Sequence, residues 1–126
     1  MRYLGIDFGS KRVGLALSDE SGGFSFPLTV INNSGDLIEE ISQLCKEHDI
    51  GAIVIGESRD FSLKENEIMK EITLFVKNLE KDINLPVYMY PEFLTSVEAE
   101  KLQGKNSMND ASAAALILKY FLQNKK

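Results

Sequence analysis

Residues 2–18 read RYLGIDFGSKRVGLALS, and the fold follows from how this stretch alternates. In an extended chain Leu4, Ile6 and Phe8 share one face while Tyr3, Gly5 and Asp7 share the other, because successive side chains of a strand point to opposite sides. Both faces are mostly apolar, as in a strand at the centre of a sheet. Asp7 is the exception, a carboxylate closing a buried strand, where a charge is costly unless something holds it. Gly9, Ser10, Lys11 and Arg12 supply a turn, and residues 13–18 alternate again, Val13, Leu15 and Leu17 against Gly14 and Ala16. The two runs therefore read as a hairpin. After the turn Ser21-Gly22-Gly23, residues 24–31 suit a third antiparallel strand. Pro27, with no N–H to give to a ladder, suits a sheet edge there.

Beyond the hairpins the period changes. Leu37, Ile41, Leu44, Cys45 and His48 recur every three or four residues and predict a helix over residues 36–48 with its apolar stripe on the sheet. GAIVIG, residues 51–56, is a β-branched run without alternation, which fits a parallel strand covered on both faces. Ile68, Ile72, Phe75, Val76 and Leu79 predict a second helix over residues 64–80, and residues 86–90 a fifth strand. Thr95 with Glu98 forms a capping box, so a short helix is expected over residues 96–103, ending at Gly104. A last helix over residues 109–122 turns Ala111, Ala114, Ala115, Leu118, Phe121 and Leu122 inward. The expected fold is α/β, a mixed five-stranded sheet of three antiparallel strands then two parallel ones, joined by right-handed crossovers and flanked by helices.

Composition narrows the function. At 126 residues the chain is expected to form one domain, 1–126, with disorder confined to residues 123–126. No apolar run approaches the roughly 20 residues that cross a bilayer, and no secretory signal is present, so a cytoplasmic protein without membrane contact is expected. The single cysteine, Cys45, falls on a core-facing helix position and reads as packing. His48 has no second histidine or cysteine pair at zinc spacing. A net charge of −5 argues against broad attraction to phosphate backbones, although a local basic patch is enough for an enzyme.

Sites on open α/β sheets collect beyond the carboxyl ends of the strands, where the strand order reverses. Asp7 ends the first strand, Glu57 follows the fourth, Glu92 follows the fifth, and Asp110 opens the last helix with Ala114 and Ile117 below it. Carboxylates gathered there suit magnesium or manganese, which take oxygen ligands and share their remaining positions with substrate phosphates. Two such ions can hold the attacking water and the leaving oxygen of a phosphodiester. Each acid also has a plainer reading: Asp110 as a helix cap, and Glu57 as either an auxiliary metal ligand or a solvated loop acid. Lys11 and Arg12, in the turn beside Asp7, are the candidate phosphate contacts or else ordinary surface cations. Arg59 and Lys64 are expected to add to the same rim. Tyr88 and Tyr90 alternate on a strand and read as sheet surface or core rather than a base-stacking platform.

At this point the sequence resembles a known family. GIDFGSKRVGLALSD (residues 5–19), Pro27-Leu28, Ile53-Val54-Ile55-Gly56, Glu92 with Leu94-Thr95-Ser96, and Asp110 with Ala113-Ala114 stand in the order and spacing of the YqgF/RuvX family. The resemblance spans nearly the whole chain and implies an RNase H-like fold. It also implies a metal-dependent nuclease, in a group described both as Holliday-junction resolvases and as nucleases maturing the small-subunit ribosomal RNA precursor. The family's metal-binding carboxylates match Asp7, Glu92 and Asp110. Three departures stand out. Pro91-Glu92-Phe93 keeps the family's glutamate and loses a neighbouring acid and arginine, Gly56-Glu57-Ser58 adds a carboxylate, and the basic loop before the last helix shrinks to residues 104–108.

The leading expectation is a hydrolase, an endonuclease cutting structured nucleic acid, with the 5′ end of pre-16S rRNA preferred over branched DNA and ribosomal precursor particles as a further partner. It would act as a monomer or a homodimer, a dimer being needed for symmetric cutting of a junction. The alternatives are a Holliday-junction resolvase, or a ribosome- or nucleic-acid-associated binding module with little activity, which the acidity and the shortened loop favour. An actin- or hexokinase-type phosphate-binding domain also carries Asp-x-Gly-Ser before a hairpin, but it closes two such domains around ATP and this chain has the length of one.

Overall fold

The computed structural model describes residues 1–9, 11–57, 65–91 and 109–124, with the backbone alone at residues 57, 65–69, 91 and 109. Its elements are β1 (Arg2–Phe8), β2 (Arg12–Ser18), β3 (Ser25–Asn32), α1 (Leu37–Glu47), β4 (Ile50–Glu57), α2 (Glu65–Asp82), β5 (Val87–Pro91) and α3 (Asn109–Asn124). They form one five-stranded sheet in the order β3-β2-β1-β4-β5. The β1–β2 and β2–β3 pairs are antiparallel, whereas β1–β4 and β4–β5 are parallel. This is the expected mixed sheet, and Pro27 does sit on an edge strand. The capping box Thr95–Glu98 and the short helix over residues 96–103 lie outside the described residues. At the C-terminus α3 includes Gln123 and Asn124, where the sequence alone places the start of a disordered tail.

The two faces of the sheet differ in side-chain size. On one, Leu4, Ile6, Phe8, Val13, Leu15, Leu17, Ile53 and Ile55 pack with Leu37, Ile41 and Cys45 of α1 and with Ile72, Phe75 and Leu79 of α2. Most of these are fully buried, and burying each large side chain stabilises the fold by about 1.5–3 kcal/mol. Cys45 is part of this layer, as expected, and burial pushes its thiol up to about 11, so it stays protonated. On the other face Tyr3, Ala16, Ala52 and Val54 meet Ala114, Ile117 and Leu118 of α3, with Phe121 at the margin between the rings of Tyr3, Tyr88 and Tyr90. Tyr88 and Tyr90 of β5 thus line the α3 side of the sheet.

The α3 face is built for close approach. A Cβ on Gly5 would lie 3.0 Å from both the Ala114 carbonyl oxygen and Leu118 Cβ, and one on Gly14 would collide with the carbonyl of Asp110. Glycine at these two strand positions lets the helix backbone rest on the sheet backbone. Buried Ala113 and Leu116, with Tyr120, form a further patch on α3 that its expected inward stripe omitted. A helix buried on more than one side shows little of the one-sided periodicity that predicts facing.

The β2–β3 turn is held by Asp19. Its carboxylate accepts hydrogen bonds from the Ser21 hydroxyl (2.6 Å) and from the backbone N–H groups of Gly23 (2.8 Å) and Phe24 (3.0 Å). The Ser21 bond, followed by that from Phe24, holds the Asp19 carboxyl down to about 2 from its ordinary 3.8. A depressed carboxyl contributes stability that is complete above the unfolded value and is lost as pH falls through the folded one. Acid titration followed by NMR should therefore show Asp19 protonating near pH 2, with its contribution to the hairpin fading between about pH 4 and pH 2. An Asp19 carboxyl that titrates at its ordinary value would show that the turn is not held this way.

Candidate active site

The strand order reverses between β1 and β4, and the carboxyl ends of both carry the candidate acids. Asp7 is the penultimate residue of β1, half-buried, on the same face as Tyr3 and Gly5 and hence on the α3 side. Its partner across the β1–β2 ladder is Gly14, and its partner on β4 is Gly56. Gly14 is also where the carbonyl of Asp110 touches the sheet. The single glycine thus sits beside Asp7 on one side and beneath Asp110 on the other, which makes these two acids neighbours although 103 positions separate them. Glu57 ends β4 one residue beyond Gly56 and pairs with Pro91 of β5. Glu92, next in the chain, lies outside the described residues, as do Arg59 and Lys64.

Asp110 has an ion pair. Its Oδ2 lies 3.2 Å from Nε of Arg12, with the aspartate side chain 33% exposed and the arginine 61% exposed. The guanidinium expected to meet phosphate is thus on a carboxylate, at the end of the sheet where a cation is wanted. Lys11 beside it is exposed.

Asn33 is a residue that sequence reasoning missed. Its side-chain Nδ2 donates to the Gly9 carbonyl at 2.8 Å, and its backbone N–H donates to the Lys11 carbonyl at 2.9 Å. It therefore clasps the turn that follows Asp7 from just beyond β3. No periodicity marks this residue, but the register would have found it: Arg12 pairs with Asn32, so the next residue of that chain reaches the turn. Replacing Asn33 by alanine removes a half-buried donor, at a cost of about 1 kcal/mol. The melting temperature should fall by roughly 3–5 °C and turnover should fall with it. Unchanged values of both would mean that the clasp is not needed.

Among the described residues no group of three carboxylate, imidazole or thiol side chains is placed to hold a metal. Asp7 and Asp110 nevertheless supply the hard oxygen donors that magnesium or manganese take, and a guanidinium already rests on one of them. The donor chemistry of these two residues fits a divalent cation.

A "Putative pre-16S rRNA nuclease" of Mycoplasma mobile is 38% identical over 138 aligned residues, covering 98% of this chain and 93% of the relative. One from Thermoanaerobacter pseudethanolicus is 30% identical over 137, covering 100% and 99%. Among solved structures, Thermus thermophilus RuvC in complex with a Holliday junction substrate superposes with a TM-score of 0.68 at 16% identity, covering 99% of this chain and 97% of that one. At that identity the likeness establishes the fold, an RNase H-like resolvase fold, and nothing finer. The family model described as RuvX, Holliday junction resolvase, matches residues 1–124, and the chain therefore belongs to the RuvX family.

Proposed function

We propose that the chain is a divalent-metal-dependent endonuclease of a single domain, 1–126, that hydrolyses phosphodiester bonds in structured RNA and matures the 5′ end of pre-16S rRNA in the cytoplasm. The observation that carries this reading is that Gly14 pairs with Asp7 and also carries the backbone of Asp110, beside the point where strand order reverses. Asp7, Asp110 and Glu92 would hold magnesium or manganese, with Glu57 as an auxiliary ligand. When bound, the metal supplies a water acidified enough to attack phosphorus and charge to stabilise the leaving 3′ oxygen. The backbone of Asp110 rests on Gly14, the ladder partner of Asp7, so the strand and the helix start that carry the two acids are held close together. Lys11 and Arg12 stand on the rim to meet the phosphates that flank the cleaved bond.

RNA is preferred over branched DNA because the chain is acidic and its loop before α3 is short, which leaves little basic surface to grip four arms of a junction. The relatives named as pre-16S rRNA nucleases support the same substrate. Resolution of Holliday junctions is the second reading, favoured by the description of the family itself. No described helix is long and apolar enough to cross a membrane. Incubating the protein with pre-16S rRNA fragments and with synthetic four-way junctions, with and without manganese, decides between them. Cleavage of the rRNA fragment in manganese is expected. Symmetric cutting of junctions alone would favour the second reading, and cleavage persisting in EDTA would overturn the metal mechanism in both.

A further inference from the structure

We infer that Arg12 links metal loading to substrate, acting as an exchangeable counter-ion that Asp110 gives up to a phosphate of the nucleic acid. The inference rests on Asp110 being a metal ligand, as proposed above. Arg12 opens β2, and its guanidinium occupies Oδ2 of Asp110 at 3.2 Å. A divalent cation requires the same carboxylate oxygens, so guanidinium and metal compete for Asp110. The arginine is not locked in place: its side chain is 61% exposed and its ion pair is open to solvent, where such contacts are weak. A guanidinium presents the same planar fork of donors to a phosphate as to a carboxylate. Substrate arriving at the rim therefore offers Arg12 a second anion and leaves Asp110 available to the cation. Nucleic acid and metal then strengthen one another by equal factors, as any such coupling between two binding equilibria must.

The test compares Arg12→Gln, Lys11→Gln and Asp110→Asn with the unaltered protein. Manganese affinity of the protein alone is measured from the free-ion EPR signal, and binding of a labelled 2′-O-methyl RNA hairpin by fluorescence anisotropy with and without manganese. Arg12→Gln should bind manganese about two- to fivefold more tightly, the range expected of an exposed ion pair, while its RNA affinity gains less from manganese than that of the unaltered protein by a similar factor. Lys11→Gln removes an equal charge from the adjacent residue, and its manganese affinity should change by less than that of Arg12→Gln. Equal tightening by both variants would reduce the effect to net charge and overturn the inference. So would manganese affinity in Arg12→Gln that is unchanged or weaker while Asp110→Asn loses most of its binding. If Asp110→Asn binds manganese normally, it is the underlying assignment of Asp110 as a ligand that fails. Circular dichroism melts of each variant separate these outcomes from misfolding.

Discussion

Gly14→Ala should destabilise the protein by about 3 kcal/mol, the upper range for forcing an extra methyl into a packed interior, and should weaken metal binding along with it. Gly14 lies in the β1–β2 ladder, opposite Asp7, and the carbonyl of Asp110 rests on it. The colliding group is helix backbone, so no rotamer change relieves the clash and the start of α3 must lift away from the sheet. That start carries Asp110, and lifting it separates the two carboxylates. Total stabilities of small domains are only about 5–15 kcal/mol, so a loss of this size is readily measured by urea unfolding. Gly35→Ala provides the comparison, because a Cβ there meets nothing within 4 Å, and it should be neutral or mildly stabilising. If Gly14→Ala melts like Gly35→Ala, the close seating of α3 on β2 is wrong, and with it the argument that brings Asp110 to Asp7.

Asp7→Asn is expected to reduce cleavage at least about a hundredfold while preserving the fold, since asparagine matches the aspartate in shape and removes only the charge that a hard cation needs. The more discriminating readout is thermal. A metal that binds only the native state raises the melting temperature by mass action, with about 2.7 kcal/mol gained at a hundred times its dissociation constant. Millimolar magnesium should stabilise the unaltered protein markedly and the Asp7→Asn variant little. Loss of cleavage together with full retention of the magnesium effect would show that Asp7 serves the reaction in some way other than holding the ion. Equal cleavage by the variant would remove Asp7 from the mechanism.

The sequence by itself determined the elements and their order. Alternation in residues 2–18, the unbroken β-branched run of β4 and the three- and four-residue repeats of α1 and α2 are local signals, written by whether neighbours along the chain face the same side. It also marked Asp7, because a charge ending an apolar strand violates that local pattern, and it placed Cys45 in the core for the same reason. What it did not contain is distance between segments. The seating of α3 on Gly5 and Gly14 and the clasp of Asn33 on the turn each depend on a partner 22 or more residues away. Arg12 shows the difference most clearly. Its position beside Asp7 suggested a phosphate contact, yet only the packing of the helix against the hairpin decided that its guanidinium meets Asp110. Charge is legible residue by residue, but the partner of a charge is chosen by tertiary geometry, because an ion pair acts over a few ångströms of space whatever the length of chain between its members.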